Sequence, residues 1–281
     1  MRNSGIGSSS GGEAGALQNE DGQSHSGISR GRLAVVGIGP GNPENMSQWA
    51  VQTIKEADVV VGYRPYVELI EDVLSPEQEV IGSGMRQEVK RARKALDEAL
   101  AGRRVVVVSS GDAGIYGMAG LVLELLFEVN DYKRVDFEVI PGITAASAAA
   151  ALLGAPLMND FVVISLSDLL TPWEVILRRV EAAAQGDFVI IFYNPKSKRR
   201  VQQIEEARKM LLNYRTASTP VGIVTGAGRA EQRVAISDLA HFLDEEINMF
   251  SLVIIGSSQS YVKEGRMITP RGYQISGGEK S

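Results

Sequence analysis

Residues 104–120, RVVVVSSGDAGIYGMAG, constrain the fold more than any other part of the chain. Four consecutive valines suit a strand buried on both faces, the habit of parallel sheets. The run empties at Ser109 into Ser110, Gly111, Asp112, Ala113 and Gly114, and an apolar helix is expected from near Ile115. Strand ends of this kind are where open α/β sheets bind ligands. Small side chains let a ligand approach the backbone, and Asp112 can accept hydrogen bonds from hydroxyls or an amine. A tight βα turn with Asp112 capping the helix would give the same pattern. The rest of the chain decides between the two.

A length of 281 residues suggests two domains, at about 150 residues each. Cysteine is absent, which excludes disulfides, a thiolate nucleophile and a cysteine-held cluster. His25 falls in the Gly/Ser-rich stretch 1–31, read as a disordered extension, and His241 in SDLAHFLDEE, read as an amphipathic helix. Neither sits in a ligand cluster, so no metal site is expected. The net charge of −5 argues against a nucleic-acid partner. It leaves room for an anionic small molecule met by a local basic patch. No apolar run reaches the roughly 18 residues that span a membrane, and residues 1–31 lack the apolar core of a secretory signal. A cytoplasmic protein without a membrane partner is the expectation.

From Leu33 onward, strand and helix alternate. Strands are expected at 33–37, 59–62, 105–109 and 137–140, with helices around 46–57, 86–101, 115–129 and 144–153. Asn42 and Pro43 supply a cap and a first helical position. After Gly154, Ala155 and Pro156 the chain restarts. Strands are expected at 161–166, 188–193, 221–225, 232–236 and 252–255, with helices over 172–184 and 197–213. The fold class is therefore α/β. Two lobes, 32–156 and 157–273, are followed by a flexible tail, 274–281.

Three further turns carry chemistry. Gly37-Ile38-Gly39-Pro40-Gly41-Asn42-Pro43 follows the first strand, where a dinucleotide fingerprint would lie. Asn42 replaces the third glycine, Pro40 removes a backbone donor, and the next strand lacks the ribose acid, so Rossmann binding is set aside. Pro141-Gly142-Ile143-Thr144-Ala145-Ala146-Ser147 forms a strand-to-helix turn in which Thr144 can cap a helix or bind a ligand. Tyr193-Asn194-Pro195-Lys196-Ser197-Lys198-Arg199-Arg200 places positive charge in what reads as a first helical turn, against the helix dipole. That favours an anionic ligand, which Arg229 could join, although Lys198 and Arg200 fit a solvated helix start equally well.

These four segments, in this order and spacing, resemble the tetrapyrrole methylases over residues 32–273. GDAGIYGMAG with YNPKSK is similar to the subgroup that methylates C17 of precorrin-3B in cobalamin synthesis. Residues 225–229 depart from the family pattern, reading TGAGR where something nearer RNAYR is usual. The resemblance implies S-adenosyl-L-methionine bound in a cleft between two α/β lobes. Pro40, Ser110, Gly111, Asp112, Ile115, Thr144 and Ala145 would hold it from the first lobe, and Asn194 and Ala227 from the second. It further implies a tetrapyrrole substrate bearing acetate and propionate groups, for which Gly39, Arg86, Lys196, Arg199 and Arg229 are candidates, and a homodimer. Arg86 also reads as a helix-surface charge in RQEVKRARK.

The sulfonium makes its methyl group electrophilic, so holding an electron-rich ring carbon in line is the main task. Such positioning can supply about 7–11 kcal/mol. In this subgroup methylation accompanies ring contraction, which needs proton transfers. Tyr63, Tyr116 and Tyr193 are candidate proton carriers, and no catalytic residue is assigned. A methylase acting at another tetrapyrrole carbon, an RNA or protein methylase, and a non-catalytic tetrapyrrole-binding module are the rivals. Whether the substrate carries cobalt is open.

Overall fold

In the computed structural model, which describes residues 30–274, the valine run is a central strand. The extension expected at 1–31 lies outside the described residues up to position 29, His25 included, as does the tail beyond Gln274. Strands β1 (Gly31–Gly37), β2 (Val59–Tyr63), β3 (Glu79–Ser83), β4 (Arg104–Ser109) and β5 (Val135–Ile140) form one sheet in the order β3-β2-β4-β1-β5. Every pair in it is parallel. Val105 to Val108 are at most 2% exposed, as a two-sided core requires. Strand β1 starts at Gly31, ahead of the expected Leu33. Gly31 pairs with Val135, and a Cβ there would lie 1.9 Å from the Ala99 carbonyl oxygen.

Helices α1 (Gln48–Glu56), α2 (Arg64–Glu68), α3 (Glu88–Leu100) and α4 (Ala119–Phe127) accompany this sheet. One face packs Leu33, Val35, Val105 and Val107 against α3 and α4. The other packs Ala34, Val36, Val106 and Val108 against Ala50, Ile54 and Ala57 at α1. The alternation of strand side chains between two cores is what makes the continuous apolar run necessary.

Helix α5 (Ala145–Leu153) leads into the second half. The second sheet joins β7 (Phe161–Ser165), β8 (Val189–Tyr193), β9 (Pro220–Thr225), β10 (Arg233–Asp238) and β11 (Ser251–Ile255) in the order β10-β9-β11-β8-β7. Only β7 and β8 pair in parallel; the others pair antiparallel. Because β8 and β9 both oppose β11, strands β7, β8 and β9 end on the same edge. Helices α6 (Trp173–Gln185) and α7 (Gln202–Leu211) cover one face. Short strands β6 (Gly154–Ala155), β12 (Tyr261–Lys263) and β13 (Arg266–Ile268) make a small third sheet.

Helix α5 covers the other face of the second sheet. Ala146, Ala149, Ala150 and Leu153 pack on Val189, Ile191, Val224, Leu252 and Ile254. A Cβ at Gly222 would come within 2.4 Å of Leu153 Cδ1, so glycine lets the helix settle this close. Packing thus changes lobes just ahead of α5, earlier than the expected break near 156.

Several local expectations need correction. Strand β3 went unrecognised, because EVIGS at a sheet edge is only partly buried and has no apolar run. Asn42 and Pro43 open a single turn, 43–45, while α1 is capped by Ser47, whose Oγ accepts from Ala50 N at 3.0 Å. His241 follows β10 in a short turn rather than an amphipathic helix, its Nδ1 2.8 Å from Asp238 Oδ1. Helices α4 and α7 start later than expected, at Ala119 and Gln202, and the intervening residues form loops at the site.

Candidate active site between the lobes

At the carboxyl ends of β4, β1 and β5, three adjacent strands, the chain approaches itself through glycine. A Cβ on Gly142 would lie 2.2 Å from the Gly111 oxygen and 2.7 Å from the Gly37 carbonyl carbon. One on Gly37 would lie 2.6 Å from Gly142 N. Gly39 and Gly111 exchange backbone hydrogen bonds of 3.0 and 2.7 Å. The result is a floor of bare backbone at the position where the strand order reverses around β1, the place where open α/β sheets take ligands.

Asp112 fastens this floor. Its Oδ1 accepts from Gly114 N at 2.8 Å and Ile115 N at 3.1 Å, and its Oδ2 accepts from Gly142 N at 3.0 Å. The first two bonds close a turn on the loop and delay α4; Tyr116, with φ 54°, continues that loop. The third ties β4 to β5. The aspartate is half-buried, and a carboxylate has more acceptor sites than these three donors fill.

The second lobe reaches into the same loops. Tyr193, at the end of β8, accepts from Ala146 N at 2.9 Å and bonds Thr144 Oγ1. Thr144 is the N-cap of α5 but makes no capping bond of its own, so the tyrosine satisfies that helix start instead. Burial raises the Tyr193 phenol above its ordinary pKa. Tyr116 crosses the other way: its hydroxyl donates to Val163 O at 3.3 Å and accepts from Ser165 N at 3.0 Å. The two rings meet at 5.3 Å. Both hydroxyls are therefore fasteners, Tyr116 between the lobes and Tyr193 at the start of α5. Tyr63 alone of the three has no hydroxyl hydrogen bond among the described residues; its ring lies edge-on to Tyr66. Tyr193→Phe would leave Ala146 N unpaired and is expected to cost about 1–3 kcal/mol. An unchanged thermal unfolding curve would show that the hydroxyl fastens nothing.

Arg229 closes the other side. Its Nε donates to Pro40 O at 3.2 Å and a terminal nitrogen to Ser110 Oγ at 3.3 Å, with the guanidinium 5.8 Å from the Phe250 ring centroid. Gly41 leaves room for its side chain: a Cβ there would fall 2.6 Å from Arg229 Cγ. The turn carrying Ala227 is shaped by Gly226 and Gly228, both at positive φ, and Gly228 abuts Pro40. Asn194, with φ 50°, donates from Nδ2 to Ser165 Oγ at 3.0 Å.

Gly39, Pro40, Ser110, Gly111, Asp112, Thr144 and Ala145 are thus brought together on neighbouring strand ends. Ile115 lies exposed on the Asp112 loop. Asn194, Ala227 and Arg229 face them from the second lobe. Lys196 and Arg199 stand on the loop after β8, in no ion pair among the described residues. Arg86 is set apart: it is exposed, with φ 63°, beyond edge strand β3, two strands from β4, and precedes α3 rather than lying on it.

Two cations are held more firmly than the sequence suggested: Arg91, which went unrecognised, is buried, and Arg200, which fitted a solvated helix start, is half-buried. Arg91 is 5% exposed and bonds Ser83 Oγ at 2.6 Å, Gly84 O at 3.1 Å and Met118 Sδ at 3.6 Å. It ties the loop after β3 to the loop after β4, and burial lowers its pKa from the ordinary arginine value. The signal was its place on the apolar stripe with Ala95 and Ala99. Arg200 is held at Asn194 O, 2.8 Å, and Ser167 Oγ, 3.4 Å; burial lowers its pKa too. It is no solvated helix residue, because α7 begins two positions later.

Comparison with known proteins matches residues 32–243 to the tetrapyrrole (corrin/porphyrin) methylases. A relative from Priestia megaterium named cobalt-factor III methyltransferase is 52% identical over 87% of this chain, which spans 46% of that longer protein. A Salmonella typhimurium protein named probable cobalt-factor III C(17)-methyltransferase is 48% identical, over 86% of this chain and all of its own. A Sinorhizobium precorrin-3B C(17)-methyltransferase is 41% identical over 86% of this chain and 97% of its own. Among solved structures, the methyltransferase CobJ superposes with a TM-score of 0.81 at 35% identity, over 85% of this chain and 100% of that one. A Thermus thermophilus uroporphyrin-III C-methyltransferase, complexed with S-adenyl homocysteine, superposes at 0.61 with 25% identity, over 80% of this chain and 92% of that one. With a family match over most of its length and relatives at 41–52% identity, the chain belongs to the tetrapyrrole methylases.

Proposed function

We propose that the chain is an S-adenosylmethionine-dependent methyltransferase of cobalamin biosynthesis, methylating C17 of a precorrin-3-level macrocycle with ring contraction. The observation that carries it is the similarity, at 48% identity along its entire length, to the Salmonella protein named for that reaction. The cobalt-bearing form is the preferred substrate in this reading, since the 52% and 48% identical relatives are both named for cobalt-factor III and the precorrin-3B relative stands at 41%.

The residues present fit the cofactor. Side chains are excluded from the glycine floor, so a ligand would meet backbone groups of residues 39–40, 110–111 and 144–145. Asp112 has acceptor capacity left for a ribose hydroxyl or an ammonium group. When bound, the cofactor supplies the electrophilic methyl group. The chain's own part is to fix the cofactor from the first lobe and to hold the macrocycle from the second, with Lys196, Arg199 and Arg229 near its carboxylates. Each charge-assisted hydrogen bond of that kind contributes about 1.5–3 kcal/mol. Holding both partners is the main source of rate in this reading.

A homodimer in the cytoplasm is the setting this reading expects; among the described residues, no helix is long and apolar enough to cross a membrane. The test is incubation with S-adenosylmethionine and each candidate macrocycle, with and without cobalt, followed by mass and absorbance. Transfer of one methyl group to a precorrin-3-level compound is expected. Methylation only at another stage of the series, or none with cofactor bound, would overturn the assignment.

A further inference from the structure

The loop between β7 and α6 has its root fixed and its tip bare. Leu166 is buried and its N–H bonds Tyr193 O at 2.9 Å; Ser167 N donates to Ser165 Oγ at 3.2 Å. Arg200 reaches Ser167 from the next loop, and Gln203 donates to Asp168 Oδ2 at 2.8 Å. Beyond these anchors Leu169 is 67% exposed and Leu170 98% exposed. A leucine with almost no contact, next to another, on a loop held at four points is a surface awaiting an occupant.

Its position narrows the occupant. Strands β7 and β8 are parallel neighbours, so the leucine loop and the basic loop Lys196–Arg200 leave the same sheet edge side by side. Lys196, Lys198 and Arg199 make no ion pair among the described residues, and Asp168, the acid on the leucine loop, is engaged by Gln203. The root also touches the cofactor side, since Ser165 N bonds Tyr116 at 3.0 Å. A ligand filling this corner needs an apolar face for the leucines and anionic groups at its rim for the lysines and arginine.

We propose that Leu169 and Leu170 form an apolar strap that lies against the face of the macrocycle while the neighbouring basic loop takes its rim carboxylates. The inference rests on the methylase reading and assigns its substrate-facing wall. The leucines act on substrate affinity and ring placement, and leave the methyl donor untouched.

The test compares the full-length chain with its Leu169→Ser/Leu170→Ser variant, using a porphyrin octacarboxylate as the macrocycle probe and S-adenosylhomocysteine as the cofactor probe. Macrocycle affinity is expected to fall roughly tenfold or more, with S-adenosylhomocysteine affinity and oligomeric state unchanged. Equal porphyrin affinity in the two proteins would overturn the strap. So would a wild-type chain that does not bind the porphyrin, or a variant that changes only from dimer to monomer, which would place the leucines between copies of the chain. Failure of the methylase reading looks different: wild-type chain binds porphyrin in a leucine-dependent way yet transfers no methyl group to any precorrin.

Discussion

Gly142→Ala is expected to be among the most damaging single-methyl additions to this protein. The new carbon would sit 2.2 Å from the Gly111 oxygen and 2.7 Å from Gly37 backbone atoms, and both obstacles are main chain. Adding a methyl to a well-packed core costs about 1–3 kcal/mol where side chains can shift. Here relief requires parting the ends of β4, β1 and β5, which also pulls Gly142 N from Asp112. The urea midpoint should fall by more than that range implies, and S-adenosylhomocysteine affinity should be lost with it. Gly120→Ala is the matched control. A Cβ there meets nothing within 4 Å, and the residue lies in α4. It should be neutral or stabilise by up to about 1 kcal/mol. Equal midpoints for the two variants would refute the bare-backbone floor.

Asp112→Ala is expected to abolish most cofactor affinity and, unlike a pure contact residue, to loosen the fold as well. Three N–H groups lose their acceptor, one of them across to β5. Hydrogen bonds to a charged group are worth about 1.5–3 kcal/mol each, so a stability loss of about that size is expected even with partial solvation. Losing a ligand bond and the loop geometry together should weaken S-adenosylhomocysteine binding roughly 100-fold, or about 2.7 kcal/mol. Asp112→Asn, which keeps one acceptor oxygen, should hold the local turn but not the tie to Gly142, and fall between. Calorimetry and unfolding on the three proteins separate the roles. Lower stability with unchanged affinity would leave Asp112 a fastener only.

The strong parallel strands were legible because buried β1, β2 and β4 must be apolar on both faces, and so were the glycine turns that end them. Edge strand β3 was not, since partial burial asks for no pattern. The late start of α4 was hidden because the turn Asp112 closes on Gly114 and Ile115 reads in the sequence equally well as a helix cap. Arg91 and Arg200 carry the same lesson: a charge count reads them as solvent-facing, while each has a partner on a distant loop, Met118 and Ser167 respectively. Tyr193 was visible as a polar ring at a strand end. Its duty, completing the start of α5 from the end of β8, depends on a contact 47 residues away in sequence.

The placement of α5 has a mechanical consequence. Its body is glued to the second sheet, while the four residues before it, Pro141 to Thr144, belong to the backbone floor of the first. Within the described residues the polypeptide passes from one lobe to the other here and nowhere else. The covalent joint and the ligand cradle are therefore the same stretch of chain. A rotation of one lobe against the other must alter the torsion angles of that stretch, so lobe angle and cradle shape form one coordinate rather than two.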